Sequence, residues 1–277
     1  MKTDLLLVPM GASYADMRAA AIAAETAGFD GLWTWDHLRP ESMTRAAAPP
    51  ECWTVLSALA EVVPRMMLGP LVLNVANRHP GLLANMAATL QQVSGGRLML
   101  GIGAGGGRGS PYATEQVALG RMVPGDAVRA EQTVEAIKIM HRLWSGDTSN
   151  FAGKHFELRR PSGFLPAEPP PPVIVAGFGP RMAAIAGQYG DGFNTQAGHP
   201  RLEELIQIAR AEYGSGGRKS GKFSVSVFAG LSERWLKPGS PDRHRLEQLG
   251  VDRAILLVEP PFDLAAIRDA GRLLQGR

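Results

Sequence analysis

Residues 68–107 read LGPLVLNVANRHPGLLANMAATLQQVSGGRLMLGIGAGGG, and their order decides the fold. Leu68–Val75 is an apolar run. His79-Pro80 breaks it, and Leu82–Val93 then follows a helical period. Ser94-Gly95-Gly96-Arg97 stops the helix, Leu98–Ile102 is a second apolar run, and a glycine-rich loop ends the stretch. Strand, loop, helix, turn, strand and glycine loop make one βαβ unit, with irregular chain after each strand. In parallel α/β proteins ligands bind at the carboxyl ends of strands. The stretch therefore locates the chemistry before it says what the chemistry is.

The same alternation runs along the whole chain. Apolar runs stand at Asp4–Pro9, Gly31–Trp35, Leu68–Val75, Leu98–Gly103, Pro172–Gly177, Gly192–Thr195, Phe223–Ala229 and Arg253–Glu259. Their Val, Ile and Leu content fits strands buried on both faces of a parallel sheet. Helical patterns fill the intervals at Ala15–Ala27, Cys52–Val63, Leu82–Val93, Pro124–Trp144, Arg181–Tyr189, Leu202–Tyr213, Asp242–Leu249 and Leu264–Leu274. Eight such units in 277 residues point to a (β/α)8 TIM barrel, with 1–277 read as a single domain. A doubly wound open sheet is the alternative. Two short insertions break the rhythm. Gly105–Met122, after the fourth strand, carries no clear pattern. Thr148–Pro172, before the fifth, reads as a hairpin at Phe151–Phe156 followed by the proline-rich spacer Pro169–Pro172. Irregular stretches of this length usually belong to the active-site side. Gly214–Gly221 reads as a surface loop without evident chemistry.

Composition bounds the function. The chain is 45% hydrophobic and 20% charged, ordinary for a soluble globular protein. Its 29 Lys and Arg against 26 Asp and Glu give a formal charge of +3, and no basic block exceeds a dipeptide such as Arg159-Arg160. Nucleic-acid binding is therefore unsupported. Cys52 is the single cysteine, which leaves no intrachain disulfide and no cysteine metal cluster. The six histidines form no HExxH or close pair, so no metal site is expected. Leu5–Val8 is too short for a signal-peptide core and no apolar run approaches a membrane span, so a cytoplasmic protein off the membrane is expected.

Three places carry candidate chemistry. Trp33-Thr-Trp-Asp36-His37-Leu38 ends the second strand. A histidine there points at a barrel mouth and can exchange a proton near neutrality; a hydrogen-bonded structural histidine is the plain alternative. Asp36 could orient it or cap the following turn. Trp33 and Trp35 are two apart, and one of them reads as core. Gly177-Phe178-Gly179-Pro180 ends the fifth strand and opens a helix, whose free N–H groups favour an anion such as phosphate; a plain strand-to-helix turn fits as well. Gly101–Gly107 is similarly ambiguous and lacks the dinucleotide-binding spacing.

These segments together carry a resemblance. Ala27–Trp33 with Asp36-His37-Leu38, Arg78-His79-Pro80 through Ser94–Leu98 to Gly101–Gly105, and Pro171–Ala176 with Gly179-Pro180 and Gly190–Gly192 resemble, in order, the motifs of the luciferase-like monooxygenase superfamily. The resemblance implies a TIM barrel that binds FMN or the deazaflavin coenzyme F420. The Asp-His-Leu form is similar to the F420-dependent branch, in which the matching histidine contacts the deazaflavin and assists proton transfer. It also implies a bulged third strand around Leu71-Val72 with a non-proline cis peptide backing the ring, and a cofactor phosphate site at Gly177–Pro180. The cofactor-binding set implied is Asp36, Leu71, Val72, Asn74, Gly105, Gly106, Gly177, Phe178, Gly179 and Pro180, with His37 catalytic.

Departures from that branch bear on substrate. Its sugar-phosphate dehydrogenases have an acidic residue in the glycine loop, where Gly105-Gly106-Gly107-Arg108 stands here. Their phosphate-holding lysine aligns with His199, the candidate substrate-binding residue. The chain is also short for the family, so a substrate-covering insertion is trimmed. The expectation is an F420-dependent oxidoreductase moving a hydride to or from a small organic substrate, as a homodimer. An FMN-dependent monooxygenase supplied with reduced flavin by a separate reductase is the first alternative. A flavin-binding barrel without turnover is the second.

Overall fold

In the computed structural model, which describes residues 1–40, 47–215 and 221–276, the βαβ unit of residues 68–107 is one step of a ring. The first half of the chain forms β1 (Lys2–Leu7), α1 (Tyr14–Ala27), β2 (Gly31–Thr34), α2 (Cys52–Val62), β3 (Met67–Pro70), β4 (Leu73–Asn74), α3 (Pro80–Val93), β5 (Leu100–Gly103), α4 (Ala113–Ala118) and α5 (Asp126–Trp144). A hairpin of β6 (Phe151–Ala152) and β7 (Glu157–Leu158) follows. The second half forms β8 (Val173–Ala176), α6 (Pro180–Tyr189), β9 (Gly192–Gln196), α7 (Leu202–Ser215), β10 (Ser224–Gly230), α8 (Glu233–Leu236), α9 (Pro241–Gln248), β11 (Arg253–Val258) and α10 (Leu264–Leu274).

Parallel pairing runs β3-β2-β1-β11-β10-β9-β8-β5-β4. Because β4 continues the chain of β3 past Leu71-Val72, the two ends of this order are one interrupted strand, and a parallel bridge between Leu68 and Leu98 ties β3 to the residues just before β5. Closure makes an eight-position parallel barrel and rules out the open-sheet alternative. The third strand, expected as one run over Leu68–Val75, is split at the bulge, where the Leu71–Val72 peptide is cis.

Alternation along the strands sorts the core. Leu6, Val8, Trp33, Leu71, Met99, Ile174 and Ile255 fill the ring, while the larger aliphatic cluster lies between strands and helices. Trp33 is fully buried inside, and its Nε1 donates to Asp4 at 2.8 Å, which Arg253 neutralises at 2.5 Å. Trp35 points to the same interior one layer nearer the mouth, where it is half-buried.

Two stretches depart from the sequence reading. Gly105–Met122 contains α4, and Gly230–Pro241 contains the single turn α8. Most of the expected surface loop Gly214–Gly221 lies outside the described residues. The hairpin is present, pinned by Glu135 of α5, whose carboxylate accepts the N–H groups of Lys154, His155 and Phe156 at 2.7–2.9 Å. No described helix is long and apolar enough to cross a membrane.

Candidate active site

The carboxyl ends of the strands open on one face of the ring, and the sequence candidates gather there in two groups. Asp36, His37, Leu71, Val72, Asn74, Gly105 and Gly106 stand on the β2–β4–β5 side. Gly177, Phe178, Gly179, Pro180 and His199 stand on the β8–β9 side.

On the first side, buried Asp36 receives Arg78 in a two-pronged contact, Nη1 to Oδ2 at 2.7 Å and Nη2 to Oδ1 at 2.8 Å. It also accepts the Asn74 N–H at 3.1 Å. Arg78 donates further to Glu51 at 2.6 Å, and Glu51 caps the start of α2 through the N–H groups of Trp53 and Thr54. Burial opposes the Arg78 charge, but hydrogen bonds and attraction from Asp36, then Glu51, outweigh it and hold the guanidinium above its ordinary pKa. Burial pushes the Asp36 carboxyl up, with Arg78 opposing. The network ties β2, β4 and α2 together behind the mouth. Asp36 therefore neither orients His37 nor caps its own turn: both its oxygens are committed to Arg78, a pairing across 42 residues of sequence.

His37 has another partner. Its Nδ1 lies 3.0 Å from Oε1 of Glu115, and the same oxygen accepts the Leu38 N–H at 3.0 Å. Glu115 belongs to α4 and is only 3% exposed. Tyr112 stacks on the imidazole, centroids 4.3 Å apart and planes 20° apart, and Trp35 meets its edge at 5.8 Å. An acid is thus supplied ten residues or so beyond the glycine loop. Sequence reasoning missed Glu115 because it missed α4. The available signal was Ser110-Pro111, a helix-start pair: the Ser110 hydroxyl accepts the Ala113 N–H at 3.3 Å.

The floor of this side is the β3–β4 bulge and the glycine loop. Leu71 belongs to the inner cluster, with Val72 packed against it. Asn74 turns its Oδ1 onto the Ala76 N–H at 3.0 Å. Arg129 of α5 donates to the carbonyls of Ala104, at 2.9 Å, and Gly105, which fixes the loop.

The second side is built differently. The Gly177 N–H donates to the Asn194 carbonyl at 3.1 Å, so it is spent on the sheet and is not a free phosphate donor as expected. A Cβ at Gly177 would sit 2.3 Å from Cβ of Met182, so this glycine serves helix packing. A Cβ at Gly179 would meet nothing within 4 Å. Pro180 opens α6 at its first position, and Gly179 supplies no side-chain cap. The N–H groups of Gly179, Arg181 and Met182 have no backbone partner among the described residues. Open space against unpaired N–H groups and the positive end of a helix is a cradle for an anion. Beside it Phe178 is 59% exposed, stacked on His199 at 6.4 Å and edge-on to Phe228 at 6.2 Å. His199 turns Nδ1 to the Arg201 N–H at 3.1 Å. Below, inside the ring, Asn194 donates to Ser226 at 2.9 Å and its Oδ1 is buried without a partner.

The sequence that folds into this barrel matches the family described as luciferase-like monooxygenase along residues 3–232. The chain belongs to the luciferase-like monooxygenase family. Among its relatives is an F420-dependent glucose-6-phosphate dehydrogenase of Amycolatopsis mediterranei, 34% identical over 187 residues, 66% of this chain and 54% of that protein. Another is an F420-dependent hydroxymycolic acid dehydrogenase of Mycobacterium tuberculosis, 30% identical over 207 residues, 74% of this chain and 54% of that protein. The chain thus spans about half the length of these curated relatives. An F420-dependent secondary alcohol dehydrogenase, solved with an F420–acetone adduct, shares the fold with a TM-score of 0.81 at 21% identity, each chain 99% covered.

Proposed function

We propose that this protein binds coenzyme F420 in the barrel mouth and works as an oxidoreductase on a small organic substrate. The observation that carries the reading is the placing of His37, held against Glu115 at the end of β2, three ring positions from the open anion cradle at Gly179. The named activities of the relatives give the cofactor class. The residues fit it: Gly179 and the first N–H groups of α6 would hold its phosphate, and Leu71 and Val72 would back its ring. F420, when bound, supplies hydride transfer at C5 of the deazaflavin. The chain itself anchors, orients and shields. His37 completes the reaction by exchanging a proton with substrate at Nε2, across the ring from the Glu115 contact. A phosphate-bearing sugar is a poor fit, because His199 stands at the lysine position and is turned onto Arg201 and Phe178.

Titrating the protein with F420 and FMN side by side tests this. Tight F420 binding with no oxygen uptake is expected. Preferential FMN binding with oxygen uptake overturns it in favour of a flavin monooxygenase.

A further inference from the structure

We propose that Glu115 is the positioning residue of His37: it accepts a hydrogen bond from the imidazole Nδ1–H and so leaves Nε2 as the nitrogen that faces the reaction. The assignment rests on the reading of His37 as the proton partner, but its geometry stands without any cofactor. An ionised carboxylate only accepts hydrogen bonds, so a ring nitrogen 3.0 Å from it must carry hydrogen. The Leu38 N–H fixes the same oxygen independently, so the carboxylate does not merely follow the ring. Tyr112, three residues earlier, covers one face of the imidazole, and Trp35 meets its edge. Among the described residues Nε2 has no partner. A base whose far nitrogen is held by a carboxylate is oriented and kept in one tautomer.

The chain around α4 is arranged to bring this acid in. A Cβ at Gly106 would lie 2.6 Å from the Ser110 hydroxyl, 2.8 Å from Tyr112 Cβ and 2.9 Å from the Ala113 nitrogen. Any side chain there, acidic ones included, pushes α4 off the loop. Gln116, next to Glu115, donates to Asn77 in the loop after β4 and fastens the helix from the other side. The glycine loop carries no acid because its bareness lets α4 deliver one.

Long-range 15N–1H correlation spectra of histidine-labelled protein, with His37 assigned through its loss in His37→Asn, read the tautomer directly. At a pH where titration shows the ring neutral, the wild type is expected to be the Nδ1–H form. In Glu115→Gln, which keeps the acceptor for Leu38 but can bond either nitrogen state, the preference should collapse to a mixture. Glu115→Ala should do the same. Turnover should fall at least about 10-fold in both, the lower end of what losing a histidine's orienting partner costs, with F420 affinity changed less than about threefold, a small step on the affinity scale. An Nε2–H ring in the wild type, or a tautomer unmoved in folded Glu115→Gln, overturns the proposal. Failure of F420 to bind a protein with the Nδ1–H ring overturns the cofactor reading instead and leaves Glu115 in place.

Discussion

The two sides of the barrel mouth are held by opposite means. On the β2–β4 side, charge does the holding: Asp36 and Arg78 form a buried pair that runs out to exposed Glu51, and Glu115 pins His37. On the β8–β9 side the rim is backbone and aromatic surface: an uncapped helix, a glycine beside open space, and exposed Phe178. On the reading proposed for His37, the first side fixes the side chain that exchanges the proton. The second leaves donors unpaired for a ligand to pair. The same proposal puts the fixed groups at the chemical step and the unpaired donors at the cofactor.

The sharpest way to break this division is at His37. His37→Asn keeps a polar group near the Nδ1 position but cannot exchange the proton. Turnover should fall about 10²- to 10⁴-fold, the usual span for general acid–base help, while F420 affinity falls much less. Single-turnover hydride transfer and melting temperature measured on the same variant check it. Full-rate transfer in a folded variant removes the catalytic role; joint loss of stability and rate returns His37 to a structural one.

Arg78 tests whether the charged side is held by charge. Arg78→Ala leaves Asp36 buried without its cation, and breaking such a pair costs about 3–5 kcal/mol. Denaturant unfolding measures it. Arg78→Lys should recover only part, since one ammonium cannot span both carboxylate oxygens and Glu51. A loss under about 1 kcal/mol, the range of exposed pairs, would show that β4 is held by packing alone.

The glycines of the other side separate fold from ligand. Gly179→Val points into open space, so melting temperature should stay put while F420 affinity drops at least about tenfold, or 1.4 kcal/mol. Gly177→Ala drives a methyl into Met182 and should destabilise the fold by about 1–3 kcal/mol, as overpacking does. Isothermal titration and thermal melting on both variants are enough. If Gly179→Val binds F420 normally, the anchor lies elsewhere.

These two glycines also show where sequence stops speaking. Both are the same letter two residues apart, and the difference between them is what stands beyond a missing Cβ, a tertiary fact. The eight strands and eight long helices were legible because buried parallel strands are continuous apolar runs and their helices keep a 3.6-residue period. α4 was not: six residues from Ala113 to Ala118 are too few to show a period. Glu115 went with it, since it meets His37 across 78 residues of sequence. The same holds for Asp36, whose neighbour in sequence is His37 but whose partner in space is Arg78. The split of the third strand was legible only through family resemblance.

Glu131 provides the mild control for the charged side, with the same ingredients on the surface. It receives Lys154 at 2.8 Å and His155 at 2.9 Å, and so clips the β6–β7 hairpin to α5. Hydrogen bonds from Lys154, then His155, lower its pKa from the ordinary 4.5 to about 2. A folded-state pKa below the unfolded one adds stability that is complete above about 4.5 and fades as the pH falls through about 2. Melting temperature in that window should therefore drop more steeply in the wild type than in Glu131→Gln, which carries no proton-linked term at this site. Because the pair is exposed, added salt should shrink the difference, whereas it should leave the penalty of Arg78→Ala nearly unchanged. Equal salt sensitivity at the two sites would mean that the mouth network is as open to solvent as the hairpin clip, and that burial is not what makes it firm.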